Sequence, residues 1–180
     1  MADRRTGPDE RQHPIRGRLA KIPEPIWGPL AVGSLLGAVG LIGLAAGQPW
    51  LFPSLGPTAF LVAEQPSQPS SRLWNSVVGH LVGLAAGLLA VALLGADAAP
   101  SPMETGKLDP IRVGAAVLAA VLTMPTLSYL RASHPPAAAT MLLVALGGLP
   151  PTGRTAGAVA AGVLILAGLG KGCIALRRSA

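Results

Sequence analysis

Ser133-His134-Pro135-Pro136-Ala137-Ala138-Ala139-Thr140 places an ionisable ring and two prolines between two apolar segments. Proline costs about 3 kcal/mol inside a helix, but the first turn tolerates it because its N–H groups lack partners there anyway. The stretch therefore predicts a helix start, with Ala137 to Leu146 as the body. A helix start carries partial positive charge and free N–H donors. At membrane depth such a start is a place to hold an anion. Pro135 and Pro136 fix the geometry and remove two N–H groups, so Ala137 and Ala138 become the expected donors.

The flanks put this stretch within a membrane domain. Of 180 residues, 51% are hydrophobic and 12% are charged, where a soluble domain carries about 25% charged residues. Trp27 to Ala46, Trp74 to Gly95, Ile111 to Leu130 and Thr155 to Cys173 are long apolar runs. About 20 residues suffice to cross a bilayer core. Trp50 to Ala63 and Pro136 to Leu149 are shorter. Each reads either as a tilted crossing or as a re-entrant half-helix. Gly56-Pro57 marks a helix start in the first of them, as Pro135-Pro136 does in the second. Pro125 predicts a kink in the fourth long-or-short segment, Ile111 to Leu130.

The predicted fold is therefore an all-α polytopic membrane protein. It has two pseudo-repeats of three helical segments, four long transmembrane helices and two short proline-started or broken ones. Ser54-Leu55-Gly56-Pro57-Thr58-Ala59 aligns with Ser133-His134-Pro135-Pro136-Ala137-Ala138 at Ser, Pro and Ala. By that correspondence Thr58 and Ala59 join Ala137 and Ala138 as expected anion contacts. Six crossings make the halves opposite in orientation, and four make them parallel. Secondary transporters often combine such repeats with broken helices that meet near the midplane.

Charge sets the orientation. Residues 1–21 carry six cations against three acids, Lys171, Arg177 and Arg178 close the chain, and the interior balances. By the positive-inside rule both termini face the cytoplasm, in the plasma membrane of a bacterium on this reading. Residues 1–26 form a basic cytoplasmic tail, 27–176 the membrane domain and 177–180 a basic end. The acids of the 96–110 loop suit the outer face. Gly33/Gly37 and the Gly79, Gly83, Gly87 seam are spaced for close helix contact, within the chain or in a homo-oligomer. The basic tail lacks the base-stacking aromatics of a nucleic-acid binder.

The polar residues offer few functions. His134 either binds an anion or relays a proton, or else it caps the helix and bonds a carbonyl. His80, beside the glycine seam, either lines a pore or packs against a neighbouring helix. Ser54, Thr58, Ser133 and Thr140 either line a polar path or bond back to their own helices. Arg131 and Arg154 either draw anions to a pathway mouth or snorkel at the interface. No catalytic triad order, phosphate loop or paired ligand set appears, and the three histidines include one in the tail. No enzyme activity, cofactor or metal is expected.

These motifs resemble the HPP family of integral membrane proteins. The resemblance rests on Ser133 through Thr140, on Phe52-Pro53-Ser54-Leu55-Gly56-Pro57-Thr58-Ala59, and on Asn75 through Gly79-His80-Leu81. It covers roughly residues 27–173 in order. Arg72 departs from the pattern, because Leu73-Trp74 separate it from Asn75. The resemblance implies four transmembrane helices and a transporter of a small inorganic anion, with nitrite the leading candidate and protons as possible companions. The alternative is a membrane scaffold or sensor that acts through its basic tail without transporting.

Overall fold

The computed structural model describes residues 22–178, so most of the expected tail and residues 179–180 lie outside the described residues. The described residues form seven α-helices and no strand. These are α1 (Glu24–Ala45), α2 (Leu55–Glu64), α3 (Leu73–Leu94), α4 (Pro102–Thr105), α5 (Pro110–Tyr129), α6 (Ala137–Ala145) and α7 (Gly153–Arg178). Short 3-10 turns at Pro69–Ser71 and Ala96–Ala98 flank α3.

Local chemistry explains most boundaries. Pro25 and Pro110 sit in the first turns of α1 and α5, where their missing N–H groups cost nothing. Asp109 caps α5 by accepting from the Ile111 N–H at 2.8 Å. Helix α1 ends in a Schellman turn. The Gly47 N–H donates to Leu44 O at 3.1 Å and the Gln48 N–H to Gly43 O at 2.9 Å, with Gly47 at φ +63. Gly147, at φ +76, ends α6 in the same way. Helix α5 also ends so, but the left-handed position is filled by Arg131 at φ 50. Pro125 lies inside α5, which continues through it to Tyr129.

Helix lengths give four candidate crossings. Helices α1, α3, α5 and α7 are long and apolar enough to cross a membrane. Helices α2 and α6 have 10 and 9 residues, about 15 and 14 Å at 1.5 Å per residue. That is half of a bilayer core of about 30 Å. With four crossings the two halves run parallel. The connection from α3 to α5 would then lie on the side of the termini, opposite to the outer placement inferred from its acids. Side-chain acids bear little on topology.

Helix α3 is the hub and packs against α5, α6 and α7, while α1 packs against α2 and α7. The glycine seam of α3 is what admits α6 so closely. A Cβ on Gly79 would lie 2.6 Å from His134 Cβ, one on Gly83 2.6 Å from Ala137 O, and one on Gly87 2.9 Å from Val144 Cβ. Gly33 and Gly37 do not behave this way. A Cβ on either meets nothing within 4 Å, because both face outward from α1. Equal spacing therefore had two outcomes, decided by which face the core claimed.

The main core joins Leu35 and Val39 of α1, Leu55 and Val62 of α2, Leu84 of α3, Val144 of α6 and Val159, Val163 and Leu166 of α7. Large apolar side chains cover the outside, among them Leu41, Val117, Val121 and Leu164. An outward apolar surface on long helices is the pattern that lipid requires. Trp27 is buried beneath Arg177, whose guanidinium lies 4.7 Å from the ring centroid. Arg177 also pairs with Glu24 at 2.6 Å, which ties the start of α1 to the end of α7.

Candidate functional site

Five polar side chains from separate parts of the sequence meet in the core. Ser54 and Thr58 come from the start of α2, His80 from α3, His134 from the turn before α6, and Thr140 from α6. None is more than 1% exposed. A buried polar group without a partner costs a few kcal/mol, so such groups occur in connected networks.

The network is continuous. Thr140 Oγ1 donates to Ser54 Oγ at 2.8 Å, and lies 2.6 Å from His80 Nδ1. His80 Nε2 lies 2.7 Å from Thr58 Oγ1, which lies 3.2 Å from His134 Nε2. The two Nε2 atoms are 3.3 Å apart. At the far end His134 Nδ1 meets the Ser70 carbonyl at 2.8 Å. The imidazoles stand edge to face, with centroids 4.9 Å apart and planes at 67°.

Each ring is held by backbone placement. The seam at Gly79 leaves room for His134, and Asn75 Nδ2 donates to Ser133 O at 3.0 Å, pinning the proline turn to α3. The Pro69–Ser71 turn brings the Ser70 carbonyl to His134, and Ser71 Oγ secures that turn by donating to Gln65 O at 2.7 Å. No carboxylate hydrogen-bonds to either ring among the described residues.

A cavity of about 370 Å³ reaches the site between α5 and α6. Its walls include Thr123, Met124 and Ser128 of α5, Ser133, His134 and Pro135 of the proline turn, and Ala138 and Met141 of α6. No charged side chain lines it.

A family model described as HPP, transmembrane region, matches residues 18–176. The chain belongs to the HPP family. No curated protein and no solved structure matches it. The family's namesake triplet is His134-Pro135-Pro136 in this chain, and its histidine occupies one end of the buried network.

The remaining expected site residues are divided. Ala137 and Ala138 sit in the first turn of α6, but their N–H groups are not free. They donate to His134 O at 2.9 Å and Pro135 O at 3.1 Å, because the HPP turn closes as a tight helical turn. The N–H groups expected to face an anion are thus already engaged within the turn. Gly56 and Pro57 occupy the first turn of α2, as expected of a helix start, and Gly56 N–H donates to Pro53 O at 3.2 Å. Ala59 is fully buried in the apolar core beside the network. Ser133 and Ala138 line the cavity. Arg131 and Arg154 are exposed and line neither the network nor the cavity. Arg131 instead serves as the left-handed closing residue of α5.

Two residues with clear tasks had no assigned role in the sequence reading. Asn75 was visible only as part of a motif. Arg112 is 5% exposed and donates to Ala99 O through Nε at 3.2 Å and Nη2 at 2.8 Å, and to Ala145 O through Nη1 at 3.3 Å. Ala145 is the last residue of α6, whose end carries partial negative charge, so the guanidinium serves as a C-terminal cap. Arg112 shares the buried face of α5 with Ala115, Ala119 and Thr123. That helical spacing was the available signal for its burial.

Proposed function

We propose that this HPP protein transports a small inorganic anion, nitrite first among candidates, and is not an enzyme. The observation that supports this reading is the closed chain Ser54–Thr140–His80–Thr58–His134 within an otherwise apolar interior. Ionisable groups at membrane depth are expensive and mark ion or substrate pathways by default. Two half-length helices begin at this chain, as in the broken-helix sites of secondary transporters.

On this reading cargo enters by the cavity between α5 and α6 and meets the rings of His134 and His80, while the hydroxyls of Thr58, Thr140 and Ser54 hold the rings in register. Selectivity comes from side chains, since the N–H groups of Ala137 and Ala138 are already engaged. By the positive-inside rule the basic ends support a reading with both termini in the cytoplasm, for which a bacterial plasma membrane is the expected setting, and the open face at Gly33 and Gly37 is available to a second copy. The test is flux into liposomes containing the purified protein. Nitrite uptake above protein-free vesicles is expected, and His134→Gln reduces it at least tenfold while the protein stays inserted. Absence of flux for nitrite, nitrate, formate and chloride under every gradient would overturn the reading and favour the scaffold alternative.

A further inference from the structure

The hydrogen positions in the buried network can be assigned from its partners. A carbonyl oxygen only accepts, so His134 Nδ1, 2.8 Å from Ser70 O, carries a hydrogen. Thr140 gives its hydroxyl hydrogen to Ser54 Oγ, so its oxygen accepts from His80 Nδ1 at 2.6 Å. Each neutral ring therefore presents a bare lone pair at Nε2. These lone pairs face one another at 3.3 Å. The Thr58 hydroxyl supplies one hydrogen and directs it to His80, the nearer ring at 2.7 Å. His134 Nε2 is left 3.2 Å from an oxygen that has no hydrogen to offer.

The centre is thus one proton short. A single added proton completes it, with His134 Nε2–H donating to Thr58 Oγ1 or to His80 Nε2. A second proton would set two cationic rings 4.9 Å apart with no carboxylate beside them. The charged groups on the surrounding elements do not intervene. Glu64 on α2, Arg72 before α3, Arg131 before the HPP turn and Arg154 and Lys171 on α7 are exposed. Helix α6 carries no charged residue, and Arg112 of α5 bonds the opposite end of α6.

The cavity makes the same demand. Thr123 and Ser128 donate their hydroxyl hydrogens to Ala119 O at 2.7 Å and Met124 O at 3.0 Å. Into the cavity they present lone pairs. Ser133 adds one hydroxyl that can donate or accept, and no cation lines the chamber, so a bare anion meets a single donor among acceptors and no counter-charge, whereas a weak acid HA finds acceptors for its hydrogen in an otherwise apolar chamber.

We propose that His80 and His134 form a one-proton site and that the cargo anion moves with a proton, as the weak acid HA. HA arriving from the cavity gives its proton to His134 Nε2; the O–H bond breaks as the N–H bond forms, and A⁻ remains beside the cationic ring. The reverse transfer releases HA on the other side. One proton moves per anion and no net charge crosses. This coupling rests on the anion-transport reading, whereas the one-proton site does not.

The test is therefore in two arms. In the first, full-length protein with ¹⁵N-histidine, carrying His13→Asn so that only two rings report, is titrated in nanodiscs. Above the transition both Nδ1 atoms are expected to be protonated and both Nε2 atoms bare, and acidification adds one proton per chain in a single step. Uptake of two protons, or an Nε2–H tautomer at the start of the titration, overturns the site. In the second arm, nitrite uptake into voltage-clamped liposomes is expected to be voltage-insensitive, with one proton per anion above protein-free vesicles. Voltage-driven uptake without protons overturns the coupling. If no anion moves, the transport reading and the coupling fall together, and the titration alone decides the proton site.

Discussion

Gly83→Ala tests how the HPP turn is seated. A Cβ at Gly83 would lie 2.6 Å from the backbone oxygen of Ala137. Ordinary contact begins near 3.4 Å, so the first turn of α6 must retreat by about 0.8 Å or α3 must bend. Overpacking of this kind costs about 1–3 kcal/mol. Replacing glycine inside a helix returns about 1 kcal/mol of propensity, which leaves a net loss of up to about 2 kcal/mol. The movement also falls on Thr140, one turn further along α6, and stretches its 2.6 Å contact with His80. Gly33→Ala is the matched control, since its Cβ meets nothing within 4 Å. It keeps the propensity gain without the clash, for a difference of about 1–3 kcal/mol between the two variants. Reversible unfolding in mixed detergent micelles measures this difference, and anion flux reports on the site. Equal stability for Gly83→Ala and Gly33→Ala would refute the close seating of α6 on α3.

Three further substitutions probe separate parts of the molecule. Arg131→Gly removes a side chain from a left-handed position and is expected to stabilise by about 1 kcal/mol in the same unfolding assay; if Arg131 also draws anions to a pathway mouth, flux falls in the more stable protein. Thr140→Val keeps the shape but leaves His80 Nδ1 and Ser54 Oγ unpaired, at about 1–3 kcal/mol each, whereas Thr140→Ser retains the hydroxyl and stays within about 1 kcal/mol of the parent. In a Cys173→Ala background, Gln68→Cys and Glu104→Cys are expected to be labelled from opposite sides of the membrane, Glu104→Cys from the side of the termini; labelling of Glu104→Cys from the side opposite the termini would contradict four crossings.

Much of the architecture was legible in the sequence. Low charge and long apolar runs pointed to a helical membrane protein, since a continuous apolar run of about 20 residues has the length of a spanning helix and a helix satisfies its own backbone in lipid. Proline in the first turn of α2 and immediately before α6 marked their starts, and Gly47 and Gly147 sit where the helices before them close. These features depend on a few adjacent residues, and their physics is local.

Only the tertiary structure decided the rest. Gly79 and Gly33 have the same chemistry, yet one seats His134 and the other faces outward, because helix rotation sets which face is covered. The N–H groups of Ala137 and Ala138 looked free because Pro135 and Pro136 remove two donors, but the turn folds back so that the His134 and Pro135 carbonyls accept them. The sequence left His134 open between an anion or proton site and a cap that bonds a carbonyl. Its partners are Thr58, His80 and Ser70, which lie 76, 54 and 64 residues away. No local pattern encodes such a meeting; it arises because half-length helices end inside the bundle and leave their first turns facing one another across α3.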